Sequence, residues 1–427
     1  MLAALVIFGA VACTENQEEN IPEAKKEPVL SFVANIANDE TRVDVQNTDG
    51  VWTTVWEENE TLIIYGPNDA EYTFTNEDSD EKNVFTCYED GVIQLIGEPV
   101  QIDNGYLDSK AGTKGSWIQA DIASFDPTAV ITFVAQTSFF KFTSAHEVTL
   151  SASHDIFEVE GEGSVNSVTF AAGEDIMVAF LPPTGDKVTL SYSIDGVKCK
   201  EIKDKQFEAK KIYNLGELND KVVFLKPYVW YTGENQEWFA AHFWNSSSSK
   251  DVTLSKVSDG LYGCAVPEGM THVIFCRMNP SSETFAWNGG KSGKTRPMWN
   301  RTYEFGVEDA PYNCHFVTKW GNGFADDNAE ICPSVWGEKT IVSTDINAWG
   351  VIGSMTNEWK QDMKYPMVKG SDGKLIARRL VLKKDAEFKV SNGTGWSPTN
   401  NYKITADGVY NVTCSTSGAN FNVTKLL

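Results

Sequence analysis

Short stretches of alternating apolar and polar residues, separated by tight-turn dipeptides, constrain the fold of this chain more than any other feature. Residues 188–194 (VTLSYSI) alternate with period two before Asp195-Gly196, and the pattern resumes at Val197. Asp-Gly favours hairpin turns because both central residues need φ > 0. Further Asp-Gly pairs occur at 49–50, 90–91, 259–260, 372–373 and 407–408, and no window shows a helical 3.6-residue stripe. The sequence therefore predicts an all-β fold of tandem antiparallel β-sandwich domains.

Tryptophan and charge both change near residue 220. Residues 1–220 hold three of the 13 Trp and a net charge of −25, whereas residues 221–427 hold ten Trp and a net charge of +2. A chain of 427 residues is also too long for one ordinary core. Two compositions indicate at least two kinds of domain. We expect a first region at 31–220, a second at 221–342 and a third at 343–427.

The first thirteen residues predict where the protein lies in the cell. Residues 1–12 (MLAALVIFGAVA) are apolar, too short to span a bilayer, and followed by Cys13. Small residues before a cysteine resemble the lipobox of a bacterial lipoprotein, although the usual basic residues are missing, which suggests a true start further upstream. The acidic residues 14–30 that follow suit a flexible tether and resemble the surface-export signal of Bacteroidetes lipoproteins. We expect an outer-membrane, surface-exposed protein lipidated at Cys13.

Region 31–220 carries a set of strand-like segments that resembles a known family. The segments are residues 30–34 (LSFVA), 41–43 (TRV), 56–64 (WEENETLII) and the closing 207–215 (FEAKKIYNL). They resemble the fimbrillin-like proteins of Bacteroidetes (FimA/Mfa type). The resemblance implies β-sandwich subdomains that serve as a stalk or as a pilus subunit.

The residues that catalysis or metal binding would need are scattered. The five His stand beside no nucleophile motif, and the chain has no H-E-x-x-H, P-loop or EF-hand pattern. Carboxylate pairs such as Asp326-Asp327 are expected by chance among 59 acids. We therefore predict no enzymatic activity, no cofactor and no metal site. Nucleic-acid binding would require a basic face that neither half supplies.

Seven cysteines follow Cys13 at wide spacing and without a C-x-x-C pair. This pattern argues against a zinc site. One or two disulfides are expected at most, among the four cysteines between Cys264 and Cys332, and the sequence leaves the pairing open.

The second region concentrates residues suited to binding sugars. Aromatic rings stack on the C–H faces of sugars at little entropic cost, while polar groups bond the hydroxyls. Alternation along residues 239–244 places Phe239, Ala241 and Phe243 on one face, and Ala240, His242 and Trp244 on the other. We expect the first face in the core and the second in the binding site. The candidates are Trp230, Trp238, His242, Trp244, Trp287 and Trp299.

Both Trp-rich regions resemble carbohydrate-binding families. Residues 224–227 (FLKP), 242–244 (HFW) and 273–280 (VIFCRMNP), with Trp-Asn pairs at 287–288 and 299–300, resemble the starch-binding carbohydrate-binding module family 26. A further Trp that this family carries after the His strand is replaced here by residues 245–251 (NSSSSKD). One wall of the binding platform is therefore missing or supplied elsewhere.

The third region resembles the starch-binding domains of SusE/SusF-type outer-membrane lipoproteins. The matching residues are 349–354 (WGVIGS), Trp359, Met367, 388–390 (FKV), Trp396 and 408–410 (GVY). The resemblance implies that Trp359 and Trp396 stack on sugar, while Lys389 and Asn392 bond its hydroxyls. Ser397-Pro398 stands where the family has Gly, which reshapes the loop beside Trp396.

Two functions remain open at this point. In the first, a non-catalytic lipoprotein captures starch or a related α-glucan polysaccharide beside an outer-membrane importer complex. In the second, the protein is an accessory fimbrial subunit or adhesin that recognises host or bacterial surface ligands.

Overall fold

The structure is a computed structural model in which two compact parts of the chain are described. The described residues are 29–36, 44–48, 51–55, 59–76, 83–103, 109, 118–159, 162–209, 211–227, 238–280, 284–287, 289, 298–320, 330–341, 345–356, 359–370 and 372–427. The first unit comprises Met1–Tyr106 and Ser116–Gln136, and the second comprises Leu107–Gly115 and Thr137–Leu427. The prediction of an all-β fold is confirmed, because strands form nearly all of the regular structure.

The first unit is a sheet that closes on itself, in the order β1-β6-β5-β4-β7-β8-β9, together with a separate β2-β3 hairpin. Its core holds buried aromatic rings, among them Phe32 and Phe74 with ring centroids 5.2 Å apart. Two short 3-10 helices, Pro67–Asp69 and Asp90–Leu95, connect its strands. The strands are β1 (Leu30–Ile36), β2 (Asp44–Thr48), β3 (Val51–Val55), β4 (Thr61–Tyr65), β5 (Glu71–Thr75), β6 (Val84–Cys87), β7 (Val100–Asp103), β8 (Ile118–Ile122) and β9 (Val130–Ala135).

The second unit opens with two sheets packed as a sandwich. One sheet has the order β15-β10-β18 and the other β14-β11-β16-β17, while β12 and β13 form a small hairpin. Phe140 of the first sheet and Leu150 and Leu190 of the second share one buried cluster. The strands are β10 (Ser138–Ser144), β11 (Val148–Ala152), β12 (Phe157–Val159), β13 (Gly163–Val165), β14 (Ser167–Phe170), β15 (Gly173–Phe180), β16 (Val188–Ile194), β17 (Val197–Lys205) and β18 (Ile212–Glu217).

The rest of the second unit is built on two further sheets. Five strands pair in the order β22-β23-β19-β27-β29, and thirteen join in one continuous sheet that begins β21-β20-β24-β26-β32. The 3-10 helix Gln361–Met363 precedes β31. The strands are β19 (Val222–Lys226), β20 (Trp238–Trp244), β21 (Ser249–Thr253), β22 (Ser255–Ser258), β23 (Leu261–Ala265), β24 (His272–Met278), β25 (Met298–Thr302), β26 (Phe305–Gly306), β27 (Cys314–Val317), β28 (Glu330–Cys332), β29 (Ser334–Gly337), β30 (Ile346–Gly353), β31 (Tyr365–Lys369), β32 (Leu375–Leu382), β33 (Glu387–Ser391), β34 (Trp396–Lys403), β35 (Gly408–Cys414) and β36 (Asn422–Lys425).

The strands of the second unit pair and pack across the expected boundaries at residues 220 and 342. Phe224 lies in the same buried cluster as Phe140 and Leu150. Phe305 on β26 pairs with Leu380 on β32, which continues one sheet from the second region into the third. The division into regions 31–220, 221–342 and 343–427 stays a prediction about modules.

The Asp-Gly dipeptides occupy more than one kind of structure. Asp195 and Gly196 have φ of 50° and 79° and connect β16 to β17, as the hairpin rule predicts. Asp259-Gly260 likewise joins β22 to β23. Asp90-Gly91 instead begins the 3-10 helix Asp90–Leu95, because a hairpin also needs two strands that pair on either side of the turn.

Within the described residues no disulfide joins any of the seven cysteines after Cys13, so the expected disulfides between Cys264 and Cys332 are not found there. The four candidates are divided among three clusters of the core. Cys264 and Cys332 belong to the largest cluster, whereas Cys276 and Cys314 belong to two others. Within the described residues, no helix is long and apolar enough to cross a membrane.

Candidate functional site

Strand β20 carries three of the predicted site residues, and its two faces are both covered. Phe239, Ala241 and Phe243 are fully buried on the core face. On the opposite face His242 is only 8% exposed, and Trp238 and Trp244 are half-buried. This second face packs on its own small cluster, with Trp238, Trp244, Phe285 and Trp287 placed against Ala240, Ile274, Cys276, Met278 and Met298. The face expected to bind ligand is therefore largely closed.

Four rings on this face form a continuous row, which we call the ring row: Trp287, His242, Trp244 and His272. The centroids of His242 and Trp287 are 4.6 Å apart with planes inclined by 13°. Trp244 follows at 5.4 Å from His242, and His272 lies 5.2 Å beyond Trp244. Because these rings stack on each other, much of their flat surface is already used within the protein.

Asp251 on β21 holds the row in place. Its Oδ1 lies 2.7 Å from His242 Nδ1, and its Oδ2 accepts a 2.9 Å hydrogen bond from the backbone N–H of Trp287. A single carboxylate thus joins the strand-borne histidine to the segment that covers it. Sequence reasoning missed Asp251 and His272. Hairpin counting could have found Asp251, because it stands opposite His242 in the β20-β21 register.

The remaining histidine of the row, His272, is half-buried. Burial lowers the pKa of His272 below its usual value, with Lys383 lowering it further and Glu304 opposing the shift. The ring is therefore neutral at neutral pH. Its Nδ1 lies 2.8 Å from the hydroxyl of Thr271.

Two further Trp candidates of this region, Trp238 and Trp299, are engaged by the protein itself. The indole N–H of Trp238 donates a 3.0 Å hydrogen bond to the carbonyl of Asn279. Trp299 on β25 is half-buried and lies 5.1 Å below the guanidinium of Arg277. Arg301, on the same strand, lies 6.0 Å from the Trp287 ring and so places a cation at one end of the ring row. Trp230 lies outside the described residues.

A second aromatic site lies in the third region, and it is open. Trp359 and Trp396 have ring centroids 6.3 Å apart and planes inclined by 48°. Trp396 is 46% exposed at the start of β34. Trp359 has φ of 67°, a left-handed conformation that bulky residues rarely adopt. Such strain persists only where the surroundings enforce it, and it is concentrated at functional sites.

Lys389 and Asn392 both shape the loops beside this pair. Lys389 Nζ donates a 2.6 Å hydrogen bond to the carbonyl of Thr399, on the strand that Trp396 begins. Asn392 Oδ1 accepts hydrogen bonds from the backbone N–H groups of Thr394 and Gly395, at 3.1 and 2.6 Å, and closes the turn that leads to Trp396. Their role as direct sugar ligands stays a prediction.

The described residues contain no group of three or more His, Cys, Asp or Glu that could hold a metal ion. Cys13, the predicted lipidation site, lies outside the described part of the chain.

Comparisons with known proteins give only distant matches. No family model and no curated protein matches the chain. Among solved structures, it is similar to a fimbrial protein from Bacteroides ovatus, with 10% identity over 44% of this chain and a TM-score of 0.25. The chain spans about half of that protein, 50% of its length.

Two other solved structures give comparable values. A candidate cell adhesion protein from Bacteroides ovatus has 13% identity and a TM-score of 0.28 over 57% of this chain and 100% of its own. A streptococcal ancillary pilin has 10% identity and a TM-score of 0.17 over 68% of this chain and 98% of its own. At these TM-scores the chain paths differ too much to support an argument about function. The resemblances to module family 26 and to the SusE/SusF-type domains stay predictions.

Proposed function

We propose that the protein is a non-catalytic, surface-exposed adhesin that binds carbohydrate through the Trp359–Trp396 pair. The observation that carries this proposal is the exposure of Trp396, at 46%, beside a second indole held in a strained backbone conformation. Neighbouring apolar rings that reach the surface together are typical of an interaction site. Sugars suit two inclined indole rings, because their C–H faces stack on aromatic surfaces.

The closed state of the ring row favours an adhesin over a protein that captures long polymers. Capture of a polymer by several sites gains from avidity, which requires a second open platform on the same chain. His242 is buried, and Trp244 and Trp287 are half-buried against the cluster beneath them. One open aromatic pair favours recognition of a short glycan, as expected for an accessory fimbrial subunit or adhesin.

A second candidate function is capture of starch or a related α-glucan for an outer-membrane importer. The 48° inclination between Trp359 and Trp396 favours this candidate, because successive sugar rings of a curved α-glucan are not coplanar. In this function the polysaccharide is the partner.

Binding to glycans of graded length separates the two functions. The full chain is titrated with maltose, maltotriose and maltoheptaose, and screened against an array of host and bacterial glycans. An adhesin binds a short array glycan tightly and gains nothing from longer glucans, whereas a glucan-capture protein binds more tightly with each added glucose. Asn400→Ala is the matched control for Trp396→Ala, because it alters an exposed residue of the same strand. Absence of binding to any glycan, or equal loss in both variants, would sink the proposal.

The placement on the cell surface rests on Cys13 and the acidic residues after it. We propose that acyl chains on Cys13 anchor the protein in the outer membrane. Replacing Cys13 by Ala should move the protein from the membrane fraction to the soluble fraction of the producing cell. Retention of the Cys13→Ala protein with the membrane contradicts the lipid anchor.

A further inference from the structure

A cleft of about 340 Å³ lies where the loops after β26 and β29 meet strands β31 and β32. Its apolar lining comes from Ile341, Val368 and Ile376. Tyr312 and Arg378 line it as well, and four further polar or charged side chains complete it: Glu338, Thr340, Asp345 and Lys369. This size and this mixture of an apolar surface with a few polar groups are typical of small-ligand sites.

Arg378 is a cation with at least one hydrogen-bond donor, Nε, that the described residues leave unused. Its guanidinium carbon lies over the Tyr312 ring, 3.5 Å from the ring centroid, as in a cation–π contact. The nearest carboxylate oxygen is Glu308 Oε2, at 3.7 Å from its NH1 and beyond hydrogen-bond distance. Within the described part of the chain, Arg378 Nε is buried without a hydrogen-bond partner.

Glu308 forms ion pairs with both Arg378 and the neighbouring Arg379, and its Oε2, which faces Arg378, accepts no hydrogen bond within the described residues. Arg379 Nε donates a 3.2 Å hydrogen bond to Glu308 Oε1, and the backbone N–H of Asp309 donates to the same oxygen. The charge of Glu308 is therefore shared between two arginines. An arginine in this position retains donors for a second anion.

The wall of the cleft formed by residues 338–341 is held in place by contacts within the protein. Lys226 Nζ donates to the carbonyl oxygens of Lys339 and Ile341, the second at 3.3 Å. Lys339 is in turn paired with Asp195 at 2.9 Å. A preformed wall lowers the entropic cost of binding.

We propose that this cleft binds a carboxylate-bearing sugar, such as a uronic acid residue of a glycan. The planar guanidinium of Arg378 offers paired N–H donors that match a carboxylate, and its stacking on Tyr312 sets their orientation. The C–H face of the sugar lies on Ile341 and Ile376, while Glu338 and Asp345 accept hydrogen bonds from its hydroxyls. This inference rests on the proposed glycan-binding function and extends it to acidic glycans, at residues separate from the Trp359–Trp396 pair.

The test is a titration of the full chain with sodium D-glucuronate and with D-glucose, which differ by the carboxylate. We expect saturable binding of glucuronate and at least tenfold weaker binding of glucose. Arg378→Met keeps the apolar stem of the side chain and should weaken glucuronate binding at least tenfold. Arg378→Lys keeps the positive charge and should weaken glucuronate binding less. Lys383→Met removes an exposed cation outside the cleft and serves as the control.

A second variant protects the test against misfolding of Arg378→Met. Thr340 is exposed at the cleft, so Thr340→Trp should block the entrance and abolish glucuronate binding without lowering the melting temperature. Acetate and L-glutamate are titrated in parallel, and equal affinity for either one overturns the assignment to a sugar. Unchanged glucuronate binding in both Arg378→Met and Thr340→Trp would show that glucuronate does not bind in the cleft.

The outcomes separate this inference from the proposed function. Loss of neutral-glycan binding in Trp396→Ala, with glucuronate binding retained, leaves both proposals standing. Glucuronate binding without any neutral-glycan binding removes the aromatic pair and leaves the cleft. Neutral-glycan binding without glucuronate binding overturns the cleft as a binding site and leaves the aromatic pair standing.

Discussion

The ring row and the Trp359–Trp396 pair look alike in the sequence but differ in the structure. Both combine Trp with polar neighbours near strands of the same large sheet. In the ring row, residues 284–287 cover the face of β20, and Asp251 ties Trp287 to His242. At the pair, Trp396 begins β34 and stays 46% exposed.

The difference teaches that the number of Trp in a region does not reveal how many can meet a ligand. Trp320 and Trp336 are almost fully buried in the core of the second unit, and Trp349 is 7% exposed. Exposure depends on what folds back over a strand, and that is a property of distant segments.

Replacing Trp244 by Ala should destabilise the protein by about 2–3 kcal/mol, less than the roughly 3–5 kcal/mol expected for a fully buried Trp. The change removes the ring that joins His242 to His272. Urea denaturation measures the free energy of unfolding. Trp244→Phe keeps an aromatic ring and should retain most of the stability that Trp244→Ala loses. If Trp244→Ala loses glycan binding while its free energy of unfolding is unchanged, Trp244 is a binding residue and not a structural one.

Acid should destabilise the protein through the buried ring of His315. This ring is fully buried among Phe275, Phe305 and Trp336, and burial lowers its pKa to about 3. The unfolded chain, with a His pKa near 6.5, binds the proton more tightly below that pH, so stability present above pH 6.5 is lost as the pH falls toward 3.

Between pH 7 and pH 5 this histidine should cost about 2 kcal/mol of stability. Chemical denaturation at the two pH values measures the loss. His315→Leu, which cannot bind a proton, should lose that much less stability over the same range. The same pH dependence in the variant would assign the acid effect to other groups.

Replacing Asp251 by Asn should destabilise the protein by about 1–2 kcal/mol, because one carboxylate oxygen bonds His242 and the other bonds the Trp287 backbone. The amide of Asn has one acceptor oxygen, whereas both carboxylate oxygens of Asp251 take part in hydrogen bonds. The fluorescence of Trp287 should shift toward that of a solvated indole. Asp259→Asn, at an exposed turn, is the control and should change little. If Asp251→Asn matches that control, the carboxylate does not hold the ring row closed.

The sequence predicts the strands of both sites better than their surroundings. Alternation correctly places Phe239, Ala241 and Phe243 in the core, because burial follows directly from period two. On β33 the same period of two buries Phe388 and Val390 and leaves Lys389 half-buried between them. The cover supplied by residues 284–287 could not be predicted, since they reach β20 across an intervening stretch of chain. The hairpin predicted at Asp90-Gly91 is wrong for a similar reason, because the local φ preference of a dipeptide does not decide whether the flanking strands pair.

Replacing Trp396 by Ala should give the smallest change in stability and the clearest change in binding. The ring is 46% exposed, so little apolar area is lost from the folded state, and we expect less than about 1 kcal/mol of destabilisation. Neutral-glycan affinity should fall at least tenfold, because one of the two stacking surfaces is gone. Paired urea denaturation and calorimetric titration measure both quantities on one preparation, with Trp244→Ala as the opposite case. The contrast holds if Trp244→Ala loses stability and Trp396→Ala loses affinity. If Trp396→Ala unfolds as easily as Trp244→Ala and its folded fraction still binds glycan, the pair belongs to the core and the open site lies elsewhere.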